Sequence, residues 1–282
     1  MVETKKDQIL AWLSPENRNT TQQEKRNERS QDTGNWFLES EEFTSWHNFE
    51  GPNLFYCHGK GELLTEIGLT VAGSGKSVLT CVRSASLLID RAAAIDYLYE
   101  SKSSDASFEN VGITYFYFKH HDRGKSNEKV AMFLLRNLVS KADDIPPLLH
   151  KMFDDDKHGK PPKFDDIVTL MISYLQCYTS IFVFFDALDE STEEQKEKAL
   201  ELIERLCDAG MRVFLTSQPH LKSRVEELGP LVRYEIRAQE DDLNAFVRQE
   251  LVKKKFDKRF PHFPAADKEK IQTTLVESAD GM

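Results

Sequence analysis

Cysteine is scarce in this 282-residue sequence: Cys57, Cys81, Cys177 and Cys207 are dispersed and form no CxxC pair. That spacing excludes a disulfide framework and a zinc site built on paired thiolates, and it predicts a reducing, cytoplasmic home. Long apolar runs are missing too. No stretch approaches the roughly 18 apolar residues of a membrane span. The first twenty residues are polar and charged, without the apolar centre of a signal peptide. Basic residues are outnumbered, 37 against 47 acidic, and a net charge of -10 argues against nonspecific binding to nucleic acid or anionic lipid through the whole surface. The expectation is therefore a chain with no membrane and no nucleic-acid partner. No internal repeat, and no Ser/His/Asp or Cys/His constellation, stands out.

What is present is an alternation. Apolar runs rich in β-branched and aromatic residues occupy 54–58, 111–118, 181–185, 212–216 and 232–236. Continuous runs of that length suit strands covered on both faces. Between them, Val130, Phe133, Leu134 and Leu138 fall on one helical stripe, as do Ala199, Leu200, Ile203 and Cys207, with Ser191 and Glu194 as a capping-box start for the second helix. Strands alternating with amphipathic helices predict a mostly parallel sheet in a three-layer α/β fold. Residues 5–13 read as a short helix, 14–34 as a polar linker, and the aromatics Trp36, Phe37, Phe43 and Trp46 as packing beside the first strand. Beyond residue 239, Leu243, Phe246, Val247 and Leu251 form a stripe, and Ile271, Leu275 and Val276 another. The predicted organisation is a helix and linker at 1–34, an α/β domain at 35–238 and the beginning of a helical subdomain at 239–282, in a chain expected to be a fragment.

Chemistry concentrates in one interrupted motif. Gly73, Ser74, Gly75, Lys76 and Ser77 close the pattern GxxxxGK[ST], but Thr70 stands where its opening glycine belongs. Removing the eleven residues from Gly61 to Val71 joins His58, Gly59 and Lys60 to Ala72 and restores a complete P-loop opened by Gly59. Such a turn between a strand and a helix aims successive backbone N–H groups at phosphate oxygens, its lysine reaches the β and γ phosphates, and its hydroxyl ligates Mg²⁺. The ends of the segment can be spelled as a splice donor and an acceptor. A retained intron is the preferred hypothesis, and transcripts that always keep the segment would sink it.

A second motif sits downstream. The run Ile181 to Phe185 ends in Asp186, Ala187, Leu188, Asp189 and Glu190, so a buried strand delivers carboxylates at its C-terminal end. Beside a P-loop strand, its first Asp can hold Mg²⁺ and a following acid can orient or deprotonate the attacking water. The competing reading is an acidic cap on the next helix. A further strand, 212–216, ends in Thr216, Ser217 and Gln218, which could sense the γ phosphate or the catalytic water at the same sheet edge. The polar runs Lys119 to Arg123, Asp154 to Asp156 and Lys253 to Lys255 read as solvated surface.

The combination of TGNWFLES (Thr33 to Ser40), the interrupted HGK and AGSGKSVL, the strand YFYF, FFDALDE and FLTSQPH resembles the NACHT nucleotide-binding domain of fungal proteins built like NOD-type receptors, within the STAND class of P-loop NTPases. The resemblance implies a cytoplasmic signalling switch that binds ATP or GTP with Mg²⁺, hydrolyses it slowly, and works through protein partners or self-oligomerisation. It puts phosphate binding on Gly59, Gly73, Ser74, Gly75, Lys76 and Ser77, metal binding on Ser77 and Asp186, and hydrolysis on Asp189 and Glu190. It also puts γ-phosphate sensing on Gln218, where the family commonly has Arg. The alternative is a catalytically silent scaffold that keeps the fold for protein interaction, because residues 61–71 split the P-loop. A small-molecule kinase is disfavoured, since no Arg-rich lid segment is apparent.

Overall fold

The computed structural model describes residues 4–14, 35–59, 94–99, 110–118, 126–142 and 144–236. Five strands fall where the apolar runs predict them: β1 (Leu54–Gly59), β2 (Val111–Tyr117), β3 (Ser180–Asp186), β4 (Arg212–Ser217) and β5 (Leu231–Ile236). The helices are α1 (Lys5–Leu13), α2 (Asn35–Leu38), α3 (Glu41–His47), α4 (Asn127–Lys141), α5 (Pro147–Lys157), α6 (Phe164–Ser173), α7 (Glu193–Asp208) and α8 (Lys222–Glu226), with a further helical segment at 94–99. The linker, the residues from Lys60 to 93 and everything beyond 236 lie outside the described residues.

Every strand pair is parallel, and the order is β2-β3-β4-β1-β5. Alternation within each apolar run sends neighbouring side chains to opposite faces. Tyr56, Val183, Phe185, Val213 and Leu215 join one core with α1, α4, α5, α6 and α7. Phe55, Cys57, Phe182, Phe184 and Phe214 join a second core with Phe37, Phe43 and Trp46, and with Ala94, Ile95 and Leu98. The result is the three-layer α/β architecture expected from the sequence.

The aromatic residues ahead of β1 do pack beside it. Phe55 and Phe214 stack at 5.2 Å across the β1–β4 pair, Phe37 stands edge-on to both at 5.9 and 6.0 Å, and the Trp46 indole donates to the Asn53 carbonyl at 2.9 Å. Burying a large apolar side chain of this kind contributes about 1.5–3 kcal/mol, so this cluster is a principal anchor of the face it covers.

Three expectations need correction. β3 does not lie beside β1: β4 is inserted between them, pairing Val213 with Leu54 on one side and with Val183 on the other. All six residues of β4 are buried, as a strand with neighbours on both edges and cores on both faces requires. The capping box of α7 is one residue later than the Ser191/Glu194 pair: Thr192 accepts from the Gln195 N–H at 3.3 Å, and Gln195 accepts from the Thr192 N–H at 3.0 Å. Ser191 instead closes the preceding turn, donating to the Leu188 carbonyl at 2.6 Å. The Asp154 to Asp156 run is not simply solvated, because Asp156 accepts the Trp12 indole N–H at 2.7 Å and Asp154 pairs with Lys5 at 3.7 Å.

Candidate functional site

A parallel sheet brings the C-terminal ends of all its strands to one edge, the place where loops can converge on a ligand. Here that edge carries Gly59, Asp186 and Ser217 with Gln218. Register fixes their spacing: His58 pairs with Ser217 and Gly59 with Ile236, while Tyr117 pairs with Asp186. With strands about 4.8 Å apart, Asp186 stands two strands, roughly 10 Å, from the strand that leads into the P-loop sequence.

The carboxylates are held in different ways. Asp186 is 4% exposed, and its Oδ1 accepts the Thr216 hydroxyl at 2.7 Å. The next residue, Ala187, is in the left-handed conformation at φ 56, ψ 48, and its N–H donates to the same Thr216 oxygen at 2.9 Å. That backbone reversal turns the chain into a single 3₁₀ turn, Leu188–Glu190, with Leu188 buried beneath it. The turn carries Asp189 back over β4, where its Oδ1 accepts the Gln218 N–H at 3.1 Å. Glu190 is half-buried and forms no hydrogen bond through its side chain among the described residues.

The end of β4 is more committed than its sequence implies. The Thr216 hydroxyl is used on Asp186 and Ala187. Ser217, 1% exposed, shares its hydroxyl with Tyr56 at 3.0 Å and with the Gln218 carbonyl at 3.1 Å. Burial pushes the Tyr56 phenol above its ordinary value, with Ser217's hydrogen bond pulling the other way, so it stays a hydroxyl. Of the three polar residues expected to face a ligand, only Gln218 is exposed with a side chain uncommitted among the described residues.

On the neighbouring strand, His58 is 5% exposed and lies 5.2 Å from the Tyr56 ring. Burial pulls its pKa below the ordinary value, partly offset by the Gly59 carbonyl, which favours the neutral imidazole near the end of the P-loop strand itself. Gly59 has no left-handed φ, and a Cβ there would meet nothing within 4 Å. No steric demand within the described residues explains a glycine at that position.

Gly73, Ser74, Gly75, Lys76 and Ser77, the segment 61–71, and the polar turn Lys119 to Arg123 lie outside the described residues. For Mg²⁺ the described donor fits: a hard carboxylate oxygen at a sheet edge is what the ion takes in ones and twos, leaving its other positions to water and phosphate. Sequence reasoning did not foresee Thr216 as the partner of Asp186, because the hydrogen bond joins residues 30 apart on separate strands.

Residues 32–218 match the family model described as Nephrocystin 3, N-terminal, a span that covers more than half of the chain and runs from before the aromatic cluster to Gln218. The chain belongs to the nephrocystin 3 N-terminal family. This NACHT-like family supports a P-loop NTPase-like, nucleotide-binding domain. No curated protein matches the chain. Among solved structures, Drosophila ORC bound to poly(dA/dT) DNA and Cdc6 is similar at 8% identity and a TM-score of 0.38, over 87% of this chain and 34% of that one. The chain thus spans about a third of that relative's length. No described helix is long and apolar enough to cross a membrane.

Proposed function

We propose that this member of the nephrocystin 3 N-terminal family is a Mg²⁺-dependent nucleotide switch of the NACHT type, which binds ATP or GTP, hydrolyses it slowly and acts in the cytoplasm through protein partners or self-association. The observation that carries this reading is the placement of buried Asp186 on the sheet edge to which β1 delivers Gly59. The amides of Gly73, Ser74 and Gly75 cradle phosphate, and Lys76 neutralises its charge. Gly59 lets the chain leave β1 close to the phosphates. The Ser77 hydroxyl and Asp186 would hold the metal. Magnesium, when bound, draws charge from the β and γ phosphates.

The hydrogen bond at Asp189 supports a division of roles between the two acids assigned to hydrolysis. Asp189 is engaged with the Gln218 N–H and braces the turn, whereas Glu190 is the acid available to orient or deprotonate water. Gln218, exposed at the tip of β4, reads the γ phosphate more weakly than a charged guanidinium would.

Titration of the purified chain with ATP and GTP, with and without Mg²⁺, tests this. Lys76→Ala should abolish binding; unchanged affinity would remove the central claim. The eleven-residue insertion favours a second reading, a silent scaffold of the same fold. If nucleotide binding appears only when residues 61–71 are deleted, the chain as given is that scaffold.

A further inference from the structure

We infer that Thr216 is a positioning residue for the metal carboxylate, a role that rests on the nucleotide reading above. Hydrogen-bond direction at this hydroxyl is fully determined. A hydroxyl has one proton and two acceptor lone pairs. The Ala187 N–H can only donate, so it takes a lone pair at 2.9 Å. The carboxylate oxygen Asp186 Oδ1 is the acceptor of the other bond, so the single hydroxyl proton goes to it at 2.7 Å. Thr216 is 2% exposed, so its hydroxyl has little access to water as a competing partner.

Its place in the sheet makes the contact more than a local bond. Thr216 is paired in register with Cys57 of β1 on one side and bonded to Asp186 at the tip of β3 on the other. It therefore stands between the strand that leads into the P-loop and the carboxylate assigned to the metal. The same oxygen holds the Ala187 amide in place at a left-handed residue, a conformation an alanine adopts at a cost of about 1 kcal/mol or more. One side chain thus fixes the carboxylate plane and the reversal that launches Asp189 and Glu190. Groups that orient metal ligands in this manner typically change metal affinity by about 10–100-fold when removed.

The test measures nucleotide affinity of the full chain across a Mg²⁺ series and in excess EDTA, for wild type, Thr216→Val, Thr216→Ser and Asp186→Asn. Thr216→Val keeps the side-chain shape and deletes the hydroxyl; the Mg²⁺ concentration for half-maximal effect should rise about tenfold, with the EDTA affinity unchanged. Thr216→Ser should restore the wild-type response. Adding Thr216→Val to Asp186→Asn should cause no further loss, since the two act as one unit. A wild-type Mg²⁺ response in Thr216→Val, or an equal loss in EDTA, overturns the inference while leaving the nucleotide reading intact. Wild type that binds no nucleotide at any Mg²⁺ level overturns both. Should Thr216→Val fail to fold, Thr216→Ala carries the same comparison without the added methyl, and a normal Mg²⁺ response there is equally fatal.

Discussion

Trp12 donates its indole N–H to the Asp156 carboxylate at 2.7 Å, joining the N-terminal helix α1 to α5 across 144 positions of chain. The same ring stands edge-on to Phe153 at 5.4 Å, Ile9 and Leu13 are buried in the core, and Arg136 of α4 donates to the Leu10 carbonyl at 3.1 Å. α1 is thus part of the α/β unit. Leu13→Ala should destabilise the protein by about 2–4 kcal/mol through cavity formation. Trp12→Phe, which keeps a ring and loses the hydrogen bond, should cost about 1 kcal/mol. Urea unfolding of both variants checks this, and wild-type midpoints for both would show that α1 is not docked in solution.

At Gly112 the first residues of β2 pass against α4 with no room to spare. A Cβ there would come within 3.1 Å of Ile181 Cγ1 and Leu138 Cδ2 and 3.2 Å of Tyr178 Cδ2. Gly112→Ala should therefore destabilise by about 1–3 kcal/mol through overpacking, despite alanine's better backbone entropy. Thermal denaturation reads the outcome; a raised midpoint would mean that the neighbours yield freely.

Stability should fall in mild acid. Burial holds the imidazoles of His47 and His58 below their ordinary pKa of 6.5, opposed by Asn48 and by the Gly59 carbonyl respectively. The unfolded chain takes up these protons first as pH falls. The contribution is fully present above the unfolded value of about 6.5 and is lost as pH drops through the lower folded values. His58→Asn should flatten the decline between about pH 6.5 and 5. An unaltered slope in chemical denaturation would remove His58 from this account.

Glu190 and Asp189 should separate in kinetics. Glu190→Gln should lower hydrolysis about 100-fold or more with nucleotide affinity intact. Asp189→Asn retains an oxygen for the Gln218 N–H and should leave hydrolysis within a few-fold of wild type. Single-turnover phosphate release distinguishes them, and equal losses in both variants would contradict the division of roles.

Strand positions, the two-faced burial of β1 to β4 and the carboxylates at the end of β3 were legible in the sequence, because each follows from a local pattern. The run at 232–236 also read as covered on both faces, but it forms the edge strand β5, where only Ile236 is buried. A run such as IFVFF carries its own evidence of burial on both faces, and the alternation of Phe182 and Val183 decides which core each enters. Capping was legible to within one residue. Ser191 and Thr192 are both competent caps, and only the path of the Leu188–Glu190 turn selects Thr192.

The sequence by itself determined the fold class and the chemical types assembled at one sheet edge, since hydrophobic periodicity and residue identity are properties of short segments. Only the tertiary structure decided that β4 separates β1 from β3, and that the Thr216 hydroxyl is engaged by Asp186 and Ala187. It likewise decided that Asp189 braces the Gln218 N–H while Glu190 does not. The physical reason is common to all three. Strand order and side-chain partners are set by which distant segments minimise unpaired polar groups together, and that competition has no signature in any one stretch of chain.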